Sequence, residues 1–263
     1  MLDRRAVVVV LMVALSGAAA VRAETPAPPA GGSTIVIVHG AWGGSWAFRQ
    51  VEALLTARGH KVHRVALTGL GERVHLATPE VGLSTHIADV VNHLVFDDLK
   101  DVVLVGHSYG GMVVTGAADR VPERIRRLVY LDAFLPEDGE SVMTLPERRE
   151  QRAAFVNPMI KDGYLVPPWL QPGQALPHDV PQPFKTFTEP IALKNEAARR
   201  LPATYILTVE KGKAAADDDF GPFAERARKR GFAVEEMEAD HNPQWSAPEA
   251  LVERLDRAAR LGR

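Results

Sequence analysis

The sequence predicts an α/β fold in which a doubly wound, mostly parallel sheet carries helices on both faces. Two observations support this. Short β-rich runs alternate with amphipathic helical stretches from residue 33 onward, and 46% of the 263 residues are hydrophobic, enough for one large core. The stretch 134–200 interrupts the alternation with many prolines and scattered aromatic residues. We interpret it as an inserted, mainly helical or irregular cap that lines an apolar pocket.

The first half of the alternation predicts four strands and the helices between them. The strands are expected over residues 34–38, 61–67, 101–105 and 127–131. A helix is expected over 46–58, a second with Ser84 as its N-cap, and a third directly after Ser108. The order strand, helix, strand is typical of parallel pairing.

The second half resumes after the cap. Strands are expected over 204–209 and 232–239, with a helix over 220–230 between them. The tetrapeptide Ser246-Ala247-Pro248-Glu249 matches a capping box and predicts the start of a final helix.

Charge and cysteine content exclude several function classes. The formal net charge is −2 and the basic residues are scattered, so nucleic acid is not expected as a partner. The chain has no cysteine, which excludes a thiol nucleophile, thiolate metal sites and disulfides. No pairing of histidines and carboxylates has the spacing of a metal ligand set, so no metal is predicted.

The N-terminus has the features of an export signal. Asp3-Arg4-Arg5 precedes an apolar stretch over residues 6–20, and Val21-Arg22-Ala23 fits a cleavage site ahead of Glu24. We predict a signal peptide over 1–23, a flexible lead-in over 24–32, and a mature domain over 33–263. The expected location is periplasmic or secreted, with no stable membrane span after cleavage, because the apolar stretch is shorter than the roughly 20 residues of a bilayer span.

The most informative motif is Gly106-His107-Ser108-Tyr109-Gly110, between a β-branched run and an apolar helix. This arrangement is the nucleophile elbow of a serine hydrolase, in which glycines allow the sharp turn that exposes the serine hydroxyl. Ser108 is the predicted nucleophile. The alternative is a tight strand-to-helix crossover in which Ser108 is only a cap.

A serine hydroxyl needs a base, and in this architecture the acid and then the histidine follow the serine along the chain. His241 ends the last strand and is the predicted base, whereas His178 lies in the proline-rich cap. Glu210, at the end of the preceding strand, is the first choice of acid. Asp132, after the strand that follows the nucleophile, is an alternative, and Asp217-Asp218-Asp219 is a third.

The oxyanion hole is expected to combine two backbone amides. The loop His39-Gly40-Ala41-Trp42-Gly43-Gly44 follows the first strand and carries small residues that let its amides approach a substrate. Ala41 and Tyr109 are the predicted donors. His39 and His107 are expected to have structural roles.

Together these segments resemble the α/β-hydrolase superfamily, and more closely its small bacterial esterases akin to plant methylesterases and hydroxynitrile lyases. The resemblance rests on VHGAWGGSWAF, LTGLGERVHL, VGLSTHIADV, GHSYGG, YLDAFLPEDGES and DHNPQWSAPE. It implies an α/β-hydrolase fold and a cofactor-free hydrolase that uses Ser108 and His241.

The chain departs from this group at two positions. Lys211 aligns with the usual aspartate of the triad, with Glu210 one residue earlier. Asn242 stands where the lyases have a lysine after the catalytic histidine, which argues against lyase activity.

The predicted function is hydrolysis of small to medium carboxylic esters through an acyl-enzyme intermediate, with a small-molecule ester as the partner and no cofactor. Lactonase, perhydrolase and carbon–carbon hydrolase chemistry would use the same residues. A ligand-binding protein without catalysis is the alternative from another class.

Overall fold

The computed structural model describes residues 31–262, built on a six-stranded and a three-stranded sheet. The predicted signal peptide, residues 1–23, and most of the predicted lead-in, residues 24–32, lie outside the described residues. The strands in chain order are β1 (Thr34–Val38), β2 (Lys61–Val65), β3 (Val102–His107), β4 (Ile125–Leu131), β5 (Ile160–Lys161), β6 (Tyr164–Leu165), β7 (Gln182–Pro183), β8 (Ala203–Val209) and β9 (Ala233–Glu238).

Helices follow most of the large strands. They are α1 (Arg49–Ala57), α2 (Leu83–Phe96), α3 (Gly110–Arg120), α4 (Arg149–Val156), α5 (Lys185–Thr188), α6 (Glu196–Arg199), α7 (Gly221–Lys229), α8 (Pro243–Ser246) and α9 (Pro248–Arg260). Short 3₁₀ turns cover Ser45–Phe48, Gly71–Leu76, Pro122–Arg124, Asn157–Met159 and Ala215–Asp217. None of the helices in residues 31–262 combines the length and the apolar character needed to cross a bilayer.

The large sheet has the order β2-β1-β3-β4-β8-β9, and every neighbouring pair is parallel. The predicted doubly wound parallel sheet is confirmed. The chain first moves outward from β1 to β2 and then crosses β1 to reach β3, so the winding reverses beside these two strands. Ligand crevices of such sheets lie at the carboxyl ends of the strands at this reversal. The loop after β1 and Ser108 after β3 both lie there.

Apolar side chains on both faces of the sheet hold the helices in place. On one face α1 and α9 pack through Val51, Leu55 and Leu255, all at most 1% exposed. On the other face α2, α3 and α7 cover a larger core. Complete burial of one such side chain stabilises the fold by roughly 1.5–3 kcal/mol. Both faces are covered, as the alternating sequence pattern predicts.

Two predicted helix starts are wrong. Helix α2 begins at Leu83 after an extended Gly82, so Ser84 lies inside the first turn and not at its N-cap. Helix α9 has Ala247 at its N-cap. The hydroxyl of Ser246 instead donates to Asp240 Oδ1 at 2.7 Å, because the short helix α8 occupies the residues just before α9. At Ser246 this bond to Asp240 replaces the predicted capping box.

The segment between β4 and β8 contains α4, the small antiparallel sheet β5-β6-β7, α5 and α6. It is called the insert below. Its aromatic side chains pack on the loop after β1: Trp42 lies 6.4 Å from Phe155, 5.4 Å from Trp169 and 5.9 Å from Phe187 between ring centroids. The insert therefore lies over the carboxyl end of the large sheet. The exact cap boundaries, 134–200, stay a prediction.

Candidate active site

Ser108 lies in the turn between β3 and α3 with a φ of 54°, a conformation that L-residues rarely adopt. Glycines on both sides make the turn fit. A Cβ atom on Gly106 would lie 2.7 Å from the carbonyl oxygen of Gly110, and one on Gly110 would lie 2.7 Å from that of Val38. The amide of Ser108 donates to the carbonyl of Leu131 at 3.1 Å, which ties the turn to the end of β4. The turn is thus fixed by the sheet.

His241 lies beside this serine, three residues after the end of β9. Its Nε2 is 3.0 Å from Ser108 Oγ. Its ring stacks on Phe220 with centroids 4.8 Å apart and an angle of 7°. The Nε2 proton of His107 is donated to the backbone carbonyl of His241 at 2.8 Å. Stacking and this hydrogen bond fix the ring where it can receive the proton of Ser108.

Asp132 completes the hydrogen-bonded chain. Its Oδ2 accepts the Nδ1 proton of His241 at 2.6 Å, and its side chain is 1% exposed. Its Oδ1 accepts the amide proton of Thr208 at 3.0 Å, and its own amide donates to the carbonyl of Ile206 at 2.7 Å. The residue has a φ of 43°, so the chain turns sharply just after β4. Strand β8 thereby holds the carboxylate towards His241.

The structure corrects the choice of Glu210 as the acid that orients His241. The carboxylate of Glu210 pairs with Lys213 at 2.9 Å and is 53% exposed. Glu210 and Asp132 follow neighbouring strands, β8 and β4, so both reach the same edge of the sheet. The backbone bends at Asp132 and brings its carboxylate inward, whereas Glu210 continues into an exposed turn. Lys211, the residue aligned with the family's aspartate, is also exposed.

The acidic run Asp217-Asp218-Asp219 lines the same cavity but does not supply the partner of His241. Asp218 Oδ1 accepts the amide proton of Phe220 at 2.9 Å. Burial, followed by the nearby charges of Asp132 and Asp219, raises the pKa of Asp218. Its contact with Phe220 helps to place the ring that stacks on His241.

The two predicted oxyanion donors lie on either side of Ser108 in the fold. Tyr109 directly precedes α3, and Ala41 lies in the loop after β1. That loop passes close to the serine, because a Cβ atom on Gly40 would be 3.0 Å from the Cβ of Ser108. Within residues 31–262, neither the amide of Ala41 nor that of Tyr109 has a hydrogen-bond acceptor. Unpaired amides at such a position are what an oxyanion hole requires, and Ala41 and Tyr109 stay the predicted donors.

Three buried histidines support these loops in the neutral form. His39 Nδ1 donates to the carbonyl of Gly40 at 2.8 Å, while its Nε2 accepts the amide of Leu67. Burial lowers the pKa of His39, lowers that of His86 to about 4, and lowers that of His107 to about 3. The structural roles expected for His39 and His107 agree with these contacts.

A cavity of about 680 Å³ opens above Ser108 and His241. The loop after β1 forms one wall, and the insert covers another through Phe155, Trp169 and Phe187. Arg148 joins the insert to the loop before α7 by donating to the carbonyls of Ala216 and Asp218 at 2.9 and 3.0 Å. The chamber is large enough for a small aromatic molecule, and on the insert side its aromatic side chains are interspersed with Arg148, Gln151 and Arg152.

The sequence pattern of the alpha/beta hydrolase family matches residues 35–254, which include every element that carries the site. The chain belongs to the alpha/beta hydrolase family. The resemblance inferred from its motifs is confirmed.

Among alpha/beta hydrolases with curated functions, the chain is similar to a carbendazim hydrolyzing esterase from Nocardioides sp. (strain SG-4G). The two are 37% identical over 244 residues, which cover 85% of this chain and 98% of that protein. Methylesterase 2 from Arabidopsis thaliana is 30% identical over 132 residues, 49% of this chain and 48% of the plant protein. With these relatives, the predicted enzyme class is confirmed: the chain is a carboxylic ester hydrolase.

Solved alpha/beta hydrolases share the whole fold. An extracellular alpha/beta-hydrolase from a Paenibacillus species superposes with a TM-score of 0.72 at 24% identity, over 87% of this chain and 99% of that one. A pyrethroid hydrolase from Sphingobium faniae JZ-2 superposes with a TM-score of 0.61 at 25% identity, over 88% and 98%.

Sequence reasoning missed several residues that shape the site. Phe220 stacks on His241, and the amide of Thr208 holds Asp132, yet neither position has a motif. Gln182 in β7 accepts the amide proton of Trp42 at 2.8 Å across 140 residues of sequence. A fully buried glutamine in a proline-rich segment is a weak signal, and only the fold shows its partner.

Proposed function

We propose that the chain is a serine esterase that works through Ser108, His241 and Asp132 and forms an acyl-enzyme intermediate. The observation that carries the proposal is the unbroken hydrogen-bonded chain of these three residues at the base of the cavity, at 3.0 and 2.6 Å. In such an arrangement the carboxylate fixes the tautomer of the histidine, and the histidine takes the serine proton.

In the first half-reaction, His241 Nε2 accepts the proton of Ser108 as Oγ bonds to the ester carbonyl carbon. The carbonyl oxygen becomes an oxyanion, which the amides of Ala41 and Tyr109 stabilise; one such donor is worth roughly 3 kcal/mol in other serine hydrolases. Asp132 stabilises the imidazolium. The tetrahedral intermediate collapses, the bond to the alcohol breaks, and His241 gives its proton to the departing oxygen.

In the second half-reaction, His241 removes a proton from water, which attacks the acyl carbon and forms a second oxyanion. Collapse breaks the bond to Ser108 Oγ, the proton of His241 returns to the serine, and the acid leaves. Every proton transfer therefore uses one nitrogen, Nε2, while Nδ1 stays bonded to Asp132.

The substrates that the cavity favours are small to medium esters with an aromatic or branched apolar group. One wall of the cavity is aromatic and consists of Trp42, Phe155, Trp169 and Phe187. Each contact between one of these rings and a ring of the substrate would stabilise the complex by roughly 0.5–1.5 kcal/mol. The volume of about 680 Å³ admits one such molecule. The similarity to a carbendazim hydrolyzing esterase supports including carbendazim among the test substrates.

A binding protein without catalysis would need no acid to orient the histidine. The 2.6 Å contact between Asp132 and His241 supports turnover.

The proposal is tested with purified protein on p-nitrophenyl acetate, butyrate and benzoate, and on carbendazim. Wild type should hydrolyse at least one ester, and Ser108→Ala should lower kcat by at least about 10³-fold. Ser84→Ala, on helix α2, is the matched control and should keep wild-type activity. Equal rates for wild type and Ser108→Ala would contradict the proposal.

A further inference from the structure

The loop that carries Ala41 contains a strained turn. Trp42 has a φ of 60°, and the amide of Gly43 donates to the carbonyl of Ala41 at 2.6 Å. A hydrogen bond between residues two apart around a positive φ defines the rarer form of γ-turn, which is strained even before a bulky side chain is placed at its centre. Such a turn persists only where surrounding contacts hold it.

Those contacts come from the insert, which forms hydrogen bonds with both the amide and the carbonyl of Trp42. The amide of Trp42 donates to Gln182 Oε1 at 2.8 Å, and the carbonyl of Trp42 accepts the amide proton of Val180 at 2.8 Å. The neighbouring amide of Ala41 is left without an acceptor within residues 31–262. The insert therefore holds the turn in a form that keeps this donor free.

The orientation of the Gln182 carboxamide follows from its other partner. Gln182 is fully buried, and its Nε2 donates to Thr186 Oγ1 at 2.7 Å. The hydroxyl proton of Thr186 is donated to the carbonyl of Pro183 at 2.7 Å, so this oxygen faces Gln182 only as an acceptor. The nitrogen of Gln182 must therefore point to Thr186, and the oxygen to Trp42.

We propose that Gln182 is a positioning residue for the oxyanion hole: by holding the strained turn at Trp42, it keeps the Ala41 amide aimed at the carbonyl oxygen of the substrate. The inference rests on the proposed function. It makes the insert part of the machinery that stabilises the oxyanion, as well as a wall of the cavity. Gln182 touches neither substrate nor Ser108 in this role.

The test compares two variants of Gln182 with a control at another buried polar residue of the insert. Gln182→Met keeps the length of the side chain but removes the acceptor for Trp42. Ser141→Ala removes a buried hydroxyl that lies 3.1 Å from Thr144 Oγ1 and leaves the bond between Gln182 and Trp42 in place. Gln182→Asn, whose carboxamide is one methylene shorter, repeats the test with less change in polarity. For each, kcat and KM are measured on a p-nitrophenyl ester, and the unfolding temperature is recorded.

A trifluoromethyl ketone analogue of the ester supplies a readout that a purely structural role would not move. It adds to Ser108 and leaves an oxyanion in the hole, whereas an ether analogue, with a methylene in place of the carbonyl, cannot form one. Gln182→Met and Gln182→Asn are expected to lower kcat about 10- to 100-fold with KM changed less than about threefold, since complete loss of one donor costs about 10²- to 10³-fold. The affinity for the ketone should fall by the same factor as kcat/KM, and the affinity for the ether should stay within about twofold.

Ser141→Ala should keep kcat within about threefold of wild type. Equal losses of kcat in the Ser141 and Gln182 variants would overturn the inference, and so would wild-type ketone affinity in either Gln182 variant. The proposed function has its own readout, the activity of Ser108→Ala. If wild type depends on Ser108 and the Gln182 variants match wild type, the inference alone fails. If wild-type hydrolysis does not depend on Ser108, both fail.

Discussion

Replacing Asp132 with asparagine is predicted to disable the enzyme through a change of tautomer. The amide nitrogen of Thr208 lies 3.0 Å from Asp132 Oδ1 and donates its proton to it, so an asparagine is expected to place its oxygen there. Its NH₂ group would then face His241 Nδ1 at the position now held by Oδ2, 2.6 Å away. A donor at that position makes Nδ1 the acceptor and moves the imidazole proton to Nε2. His241 then cannot accept the proton of Ser108.

The expected loss is large because nearly all of the base function depends on this tautomer. The same exchange in a serine protease lowers kcat about 10⁴-fold, a rise in the activation free energy of about 5 kcal/mol. Asparagine is close in volume to aspartate and keeps the bond to Thr208, so the fold should be retained. Glu210→Gln is the matched control. Its carboxylate pairs with Lys213 at 53% exposure, and kcat is expected to stay within about twofold.

The assay is steady-state hydrolysis of a p-nitrophenyl ester by wild type, Asp132→Asn and Glu210→Gln at pH 8, with circular dichroism to check that each variant is folded. A folded Asp132→Asn enzyme with more than about a tenth of wild-type kcat would refute the assignment. So would a larger loss in Glu210→Gln than in Asp132→Asn.

Three further predictions concern stability and the cavity. Burial lowers the pKa of His86 to about 4 and that of His107 to about 3. Below pH 6.5 the unfolded chain therefore binds more protons than the folded one, and the free energy of unfolding falls as the pH falls. Between pH 7.5 and pH 5 the free energy of unfolding should fall by about 2 kcal/mol for each histidine. Urea unfolding at both pH values measures this fall. A fall that is no smaller in His86→Gln than in wild type would contradict the prediction. Phe155→Ala should raise KM for a benzoate ester about 5- to 30-fold, because ring contacts worth about 1–2 kcal/mol are lost. The KM for the acetate ester should stay within about twofold. Equal changes of KM for both esters would argue against an aromatic wall. Gly110→Ala places a Cβ atom 2.7 Å from a backbone oxygen of β1 and should lower the unfolding temperature much more than Gly43→Ala, whose Cβ atom would meet nothing nearer than 3.7 Å. Similar shifts of the unfolding temperature for the two variants would show that the turn has room.

The sheet could be predicted from the sequence because each strand is a local run of buried β-branched residues. The predicted strand over 34–38 agrees with β1 at both ends, and the other five agree within two residues. Local signals also predict the serine and the histidine: glycines at fixed spacing around Ser108, and a histidine at the end of the last strand. The family match confirms the fold that these signals indicate.

The choice of acid could not be made from local signals. Asp132 and Glu210 both end strands that are neighbours in the sheet, so sequence position places both near His241. The deciding features are a φ of 43° at Asp132 and a hydrogen bond to Thr208, 76 residues away. The predicted capping box at Ser246 is wrong for a different reason, because its hydroxyl bonds to the nearby Asp240. The bond between Asp132 and Thr208 joins segments far apart in sequence, and patterns along the chain do not contain such contacts.

The central claim is that Ser108 is the nucleophile, and covalent trapping tests it most directly. A fluorophosphonate reacts with an activated serine without any knowledge of the natural ester. Wild type, treated with such a probe, digested and analysed by mass spectrometry, should carry one adduct on the peptide that contains Ser108, and Ser108→Ala should carry none. Absence of an adduct on the folded wild type, or an equal adduct in Ser108→Ala, would contradict the claim.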